Sequence, residues 1–139
     1  MALVLRIPRR LESPNTWNGR HWRVKHRISQ EWEDCVRSCE KDADTYERPV
    51  LTFDADGNVA HRVRVTVERY VPSMRNFIRD DDNLRFAVKP LLDALKRQGY
   101  IKNDSRRWLE HPTPTQHVST DGKDWTVVTI EPIGEGARQ

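Results

Sequence analysis

Two cysteines, six glycines and no long apolar run are what this 139-residue chain has little of, and each scarcity excludes something. No hydrophobic stretch approaches the roughly twenty residues that a membrane span requires. The start, Met1-Ala2-Leu3-Val4-Leu5-Arg6, lacks a basic segment followed by a long apolar one, so neither secretion nor membrane insertion is expected. Cys35 and Cys39 stand four apart at helical spacing, which seldom satisfies disulfide geometry, and no third thiol exists. They read as small buried hydrophobes in a reducing, cytoplasmic setting. The five histidines at 21, 26, 61, 111 and 117 form no zinc-ligand spacing with the cysteine pair.

What is present is the material of one folded domain. At 36% apolar the chain supplies enough side chains for a single core. Charged residues reach 32% and mean hydropathy is −0.85, but five Trp, three Tyr and three Phe are too many aromatics for a disordered chain.

Charge is distributed in blocks. Residues 1–27 hold seven Lys/Arg against one acid, whereas residues 28–48 hold three bases against seven acids. Inside the first block, Arg20-His21-Trp22-Arg23-Val24-Lys25-His26-Arg27 interleaves cations with an aromatic ring, a composition suited to phosphate contact and base stacking. A solvated loop that keeps the protein in solution is the alternative for that segment.

Periodicity orders the rest into an α+β domain. Ala2 to Ile7 is β-leaning and is stopped by Pro8, and Ser13-Pro14-Asn15 carries turn chemistry. Ser29 is a plausible helix cap, and Ile28, Trp32, Cys35, Val36, Cys39 and Ala43 form one stripe of a helix running to about Asp44, with the acidic block on its wet face. Val50 to Phe53 and Val59 to Tyr70 flank a turn-rich segment and predict a hairpin, the second run alternating Val63, Val65 and Val67 with polar residues. Leu84, Val88, Leu91, Leu92 and Leu95 predict a second helix ended by Gly99, which must kink at Pro90 or begin anew with Pro90 in its first turn. Thr115 to Ser119 and Trp125 to Glu131 predict a last hairpin. The order β-α-β-β-α-β-β describes a mixed sheet with two main helices packed on it, one domain over residues 1–131 with a frayed tail at 132–139.

The chemistry concentrates in Arg79-Asp80-Asp81-Asp82-Asn83, three adjacent carboxylates ahead of an apolar helix. In an extended segment Asp80 and Asp82 point to one side and Asp81 to the other, offering two hard oxygen donors to Mg²⁺ or Mn²⁺. Capping of the following helix is the competing role for such acids.

Arg79-Asp80-Asp81-Asp82-Asn83-Leu84, Lys89-Pro90-Leu91-Leu92-Asp93-Ala94-Leu95 and Gly99-Tyr100-Ile101-Lys102-Asn103-Asp104, taken together and in order, resemble the core of the RusA family of Holliday junction resolvases. The likeness spans about residues 79–105, and Ser13-Pro14-Asn15 resembles the family's Ser-Asn-containing early loop. It implies metal-binding roles for Asp80, Asp82 and Asp104, with Mg²⁺ as cofactor, Mn²⁺ as substitute and no organic cofactor. It further implies a RusA-like fold, a homodimer acting on four-way junction DNA, cytoplasmic and DNA-associated, and a chain of phage or host origin.

Two departures stand out. Asn103 replaces the first member of the family's acidic pair, and Phe86 occupies the position of the family's catalytic lysine, four residues after the second Asp of the motif. Lys89 arrives three residues later, on nearly the same helical face but roughly 4.5 Å further along the axis. Lys89 is the first candidate for the basic catalytic role and Arg85 its rival, while an ordinary surface pair with Asp93 is the alternative for Lys89. Arg20, Trp22, Arg23, Lys25 and Arg27, with Arg79 and Arg85, are the candidate DNA contacts. Two functions remain in view: a junction nuclease, or a protein on the same scaffold that binds branched DNA without cutting it.

Overall fold

The structure is a computed structural model that describes residues 2–17, 19, 21–43, 55, 62–103 and 105–133, without the side chains of 42 and 43. Its elements in order are β1 (Leu3–Ile7), α1 (Trp22–Ser38), β2 (Glu40–Ala43), β3 (Val63–Val71), α2 (Asp81–Phe86), α3 (Lys89–Arg97), β4 (Leu109–Glu110), β5 (Thr115–Val118) and β6 (Trp125–Pro132). This is an α+β fold on a mixed sheet. No helix among the described residues is long and apolar enough to cross a membrane.

The sheet order is β2-β1-β6-β3-β4, with β5 also pairing β3. The alternation of β3 explains its central place, because Val63, Val65, Val67 and Val71 are all buried while Arg64 and Thr66 face water. Register then builds core rows across strands: Leu5 lies opposite Val128, and Val128 opposite Val67. Trp32 and Val36 of α1 and Leu91, Leu92 and Leu95 of α3 join the same core, so the helices cover this face of the sheet.

Four expectations are corrected. Helix α1 starts seven residues before Ser29, capped by His21, whose Nδ1 accepts the Arg23 N–H at 3.2 Å. Trp22 to Arg27 of the basic run are therefore the first turns of a helix, and Arg20 lies outside the described residues. The helix also stops at Ser38, because Cys39 is extended (φ −72°, ψ 163°) and the chain turns into β2 along β1, with Ala43 opposite Leu3. Ala43 thus belongs to a strand, while the stripe Ile28, Trp32, Cys35, Val36 and Cys39 does face the core.

The expected hairpin of 115–119 with 125–131 is replaced by two separate pairings on β3, parallel for β5 and antiparallel for β6. The connection crosses the end of β3, where Ser119 N–H donates to Val71 O at 2.8 Å, and Gly122 adopts φ 73° in the turn. Strand β6 also runs on through Pro132, opposite Val63, and Ile133 N–H donates to Arg62 O, so order continues past residue 131. The expected strand at 50–53 and the turn after it, apart from Ala55, lie outside the described residues, as do 134–139.

Pro90 does begin a helix anew. Lys89 and Pro90 open α3 after a break at Ala87 and Val88, and proline loses nothing in a first turn, where its N–H would lack an intrahelical partner. Gly99 at φ 82° ends it, Tyr100 N–H returning to Leu95 O at 2.9 Å.

Candidate active site cleft

One row of the sheet changes character at its end and opens a cleft. Ile7 lies opposite Thr126, Thr126 opposite Arg69, and Arg69 opposite Gln116. The row runs from the apolar Ile7 through Thr126 and Arg69 to Gln116. Above it is an open cleft of about 1020 Å³, walled by the loop after β1, the approach to α2 and the edge of the sheet. Arg9, Arg10, Arg69 and Arg79 line it, together with Glu12, Glu31, Asp80, Asn83 and Asp124.

Arg69 is 2% exposed, on the buried register of β3. Its Nε donates to Leu11 O at 2.7 Å, and its Nη1 donates to Asn76 O at 2.9 Å and to Gln116 Oε1 at 3.0 Å. Gln116 then holds Ile78 on both sides, accepting its N–H and donating Nε2–H to its carbonyl, each at 2.8 Å. The pair of side chains fastens the segment leading to Asp80 as a neighbouring strand would. Burial, with Arg10 nearby, lowers the Arg69 guanidinium to a pKa of about 10, against a weaker opposing pull from Asp124 and Glu12.

Asp80 stands at the cleft wall as the N-cap of α2. Its Oδ1 accepts Asp82 N–H at 2.9 Å and Asn83 N–H at 3.1 Å. That cap corrects the extended reading of the triplet: only Asp80 is extended (φ −86°, ψ 120°), and Asp81 and Asp82 already form the first turn of α2. Asp82 is exposed and lies 3.6 Å from Arg85 Nη1. Lys89 sits 3.3 Å from Asp93, the ordinary i,i+4 pair, with Lys89 exposed and Asp93 half-buried. Asp104 and Arg20 lie outside the described residues; Asn103, just before Asp104, accepts Ser105 N–H at 2.9 Å. Among the described residues no group of three or more His, Cys, Asp or Glu forms a metal-binding cluster. The donor set nevertheless suits a hard cation, since Asp80 keeps its second carboxylate oxygen clear of the cap and Asp82 presents its carboxylate to solvent.

The basic candidates on α1 are displayed outward. Trp22 is 64% exposed, with Arg23 Cζ 5.6 Å above its ring and the His21 ring 5.5 Å away. Arg23, Lys25 and Arg27 are exposed, and Arg79 and Arg85 are exposed beside the acidic triplet.

Arg9, Arg10, Arg69 and Gln116 are not among the sequence candidates. Only Arg69 leaves a readable sign: it shares the parity of Val63, Val65, Val67 and Val71, a charge on the buried side of an alternating strand. No family model matches the chain, and no curated protein matches it.

Proposed function

We propose that this protein is a metal-dependent endodeoxyribonuclease that resolves four-way DNA junctions as a homodimer, by paired phosphodiester hydrolysis in recombination and repair. The observation that carries the reading is Asp80 beside Arg79 on the wall of an open, arginine-lined cleft, inside the segment that resembles the RusA core. Aspartates suit Mg²⁺ or Mn²⁺ binding and arginines suit phosphate binding, and both types line one open concavity.

Asp80, Asp82 and Asp104 would hold Mg²⁺, which when bound activates water and offsets charge on a phosphodiester. The remaining work falls to the chain's own groups. Arg79 would engage a non-bridging oxygen of the phosphate at the cleft wall, setting its orientation before attack. Lys89 or Arg85 would offset negative charge that grows on the phosphate; Arg85 already lies near Asp82, whereas Lys89 must leave Asp93 to do so. The exposed Trp22 and the cations of α1 would contact backbone and unstacked bases away from the cut. Basic residues in the first turns of a helix oppose its dipole, by about 0.3–1 kcal/mol each, so Arg23 and Lys25 stand there against local preference. That placement is understandable if they bind an anion.

The pairing of Lys89 with Asp93 favours one rival, a protein of the same build that binds branched DNA without cutting it. Purified protein incubated with a synthetic four-way junction and Mg²⁺ separates the two. Symmetric paired nicks are expected, with Asp82→Asn abolishing them while binding is kept or tightened, since the change removes a ligand and a repulsive charge. Junction binding with no cleavage would establish the rival, and equal cutting of plain duplex would remove junction selectivity.

A further inference from the structure

Arg69 is a buried permanent charge for which the described residues supply no counter-ion. Its three hydrogen bonds go to two backbone carbonyls and the Gln116 amide, all neutral, and no described carboxylate lies within salt-bridge distance. Of the acids lining its cleft, Asp124 pairs with Arg10 at 3.0 Å, Glu31 with Arg9 at 3.7 Å and Asp80 caps α2, while Asp124 and Glu12 act on Arg69 only from beyond salt-bridge distance. Arg9 is paired with Glu31 and stacked over Trp32, although its buried Nε has no acceptor. A charge withdrawn from water without an opposite charge in contact is costly. Burial and Arg10 lower the affinity of Arg69 for its proton, and the opposing pull of Asp124 and Glu12 does not offset them.

We propose that the floor of this cleft is a phosphate-binding subsite centred on Arg69, with Arg10 at its rim, separate from the carboxylates that would hold a metal. Three of the five guanidinium N–H groups are taken, one by Leu11 O and two by Asn76 O and Gln116 Oε1 on the approach to Asp80, which leaves Nη2 for a ligand. A tetrahedral oxyanion matches that donor geometry, and the mouth is open enough to admit a phosphate carried by a polymer. Resting on the nuclease reading for its source, the phosphate is one of the DNA backbone beside the scissile group, so the subsite fixes the register of the strand; a free phosphate is the other source of the same chemistry.

The test uses the full chain in metal-free buffer, following the assigned Arg69 Nε–Hε resonance while inorganic phosphate, or separately a four-way junction, is added at constant ionic strength. A saturable shift with both probes is expected. Arg10→Gln should weaken junction binding about tenfold and lower the slope of log affinity against log salt by about one. A resonance moved by phosphate but not by saturating junction would keep the subsite and overturn its assignment to DNA. A resonance unmoved by either probe, while the junction binds in that buffer and is cut once Mg²⁺ is added, would overturn the subsite and leave the nuclease reading standing.

Discussion

Asp80 holds two positions at once, as helix cap and as candidate metal ligand, and two substitutions pull them apart. Its Oδ1 satisfies the Asp82 and Asn83 N–H groups that open α2. Loss of such an acceptor costs about 1 kcal/mol, within a range of roughly 0.5–2. Asp80→Ala should therefore lower the melting temperature by about 4 °C for a domain of this size. Asn caps as well as Asp, so Asp80→Asn should remain within a few tenths of a kcal/mol of wild type, and relief of repulsion from Asp81 and Asp82 acts in the same direction. Cleavage should behave otherwise. Both variants lose a charged ligand, and both should cut a synthetic junction at least about a hundredfold more slowly, roughly 2.7 kcal/mol of barrier. Thermal unfolding by circular dichroism and a gel cleavage assay on the same preparations read the two effects separately. Asp80→Asn that cuts at the wild-type rate would remove Asp80 from the site. If instead it melted as low as Asp80→Ala, the charge and not the acceptor geometry would be what stabilises the helix start.

Changing Arg23 and Lys25 together to Ala should weaken binding to every DNA form alike and reduce the salt slope by about one unit for each phosphate no longer neutralised, measured by anisotropy across a salt series. Asp121 is held below the usual carboxylate range, first by the Trp125 indole N–H at 2.8 Å and then by the Lys123 backbone N–H at 2.9 Å. A carboxylate with a lowered folded-state pKa stabilises above its ordinary titration range and loses that contribution as pH falls through the lowered value. Melting curves of wild type and Asp121→Asn should therefore differ at neutral pH and converge in acid; a constant gap at all pH values would refute the assignment.

The parts of the fold that are legible in the sequence are those governed by a short repeat. Val63, Val65 and Val67 announce a strand with one wet face, and Leu84 to Leu95 announce a helical stripe that Pro90 has to restart. Helix α1 departs from its expected bounds at both ends, for opposite reasons. Its start carries basic side chains where the dipole prefers acids, which makes Ser29 the more conspicuous cap. Its end is hidden because Ala43 continues the helical spacing, while the pairing of β2 with β1, a contact across some forty residues, decides the conformation. The absence of a β5–β6 hairpin has a similar origin: two strands joined by a turn usually pair, but β3 offers each of them a longer edge within its buried face.

The candidate site divides along the same line. Asp80 to Asn83 can be singled out because three adjacent acids are locally conspicuous, though their backbone cannot, since the cap depends on which N–H groups the Asp80 carboxylate captures. Arg69 is conspicuous only against the register of its own strand. Alternation assigns position 69 to the core, where a Val would carry no desolvation penalty; an arginine there is tolerable because Leu11, Asn76 and Gln116, distant in sequence, converge on it with oxygen atoms. Those three oxygens take three of its five N–H groups and do not neutralise its charge. A buried cation on the wrong side of an alternating strand is a sign that can be searched for in a sequence before any fold is known.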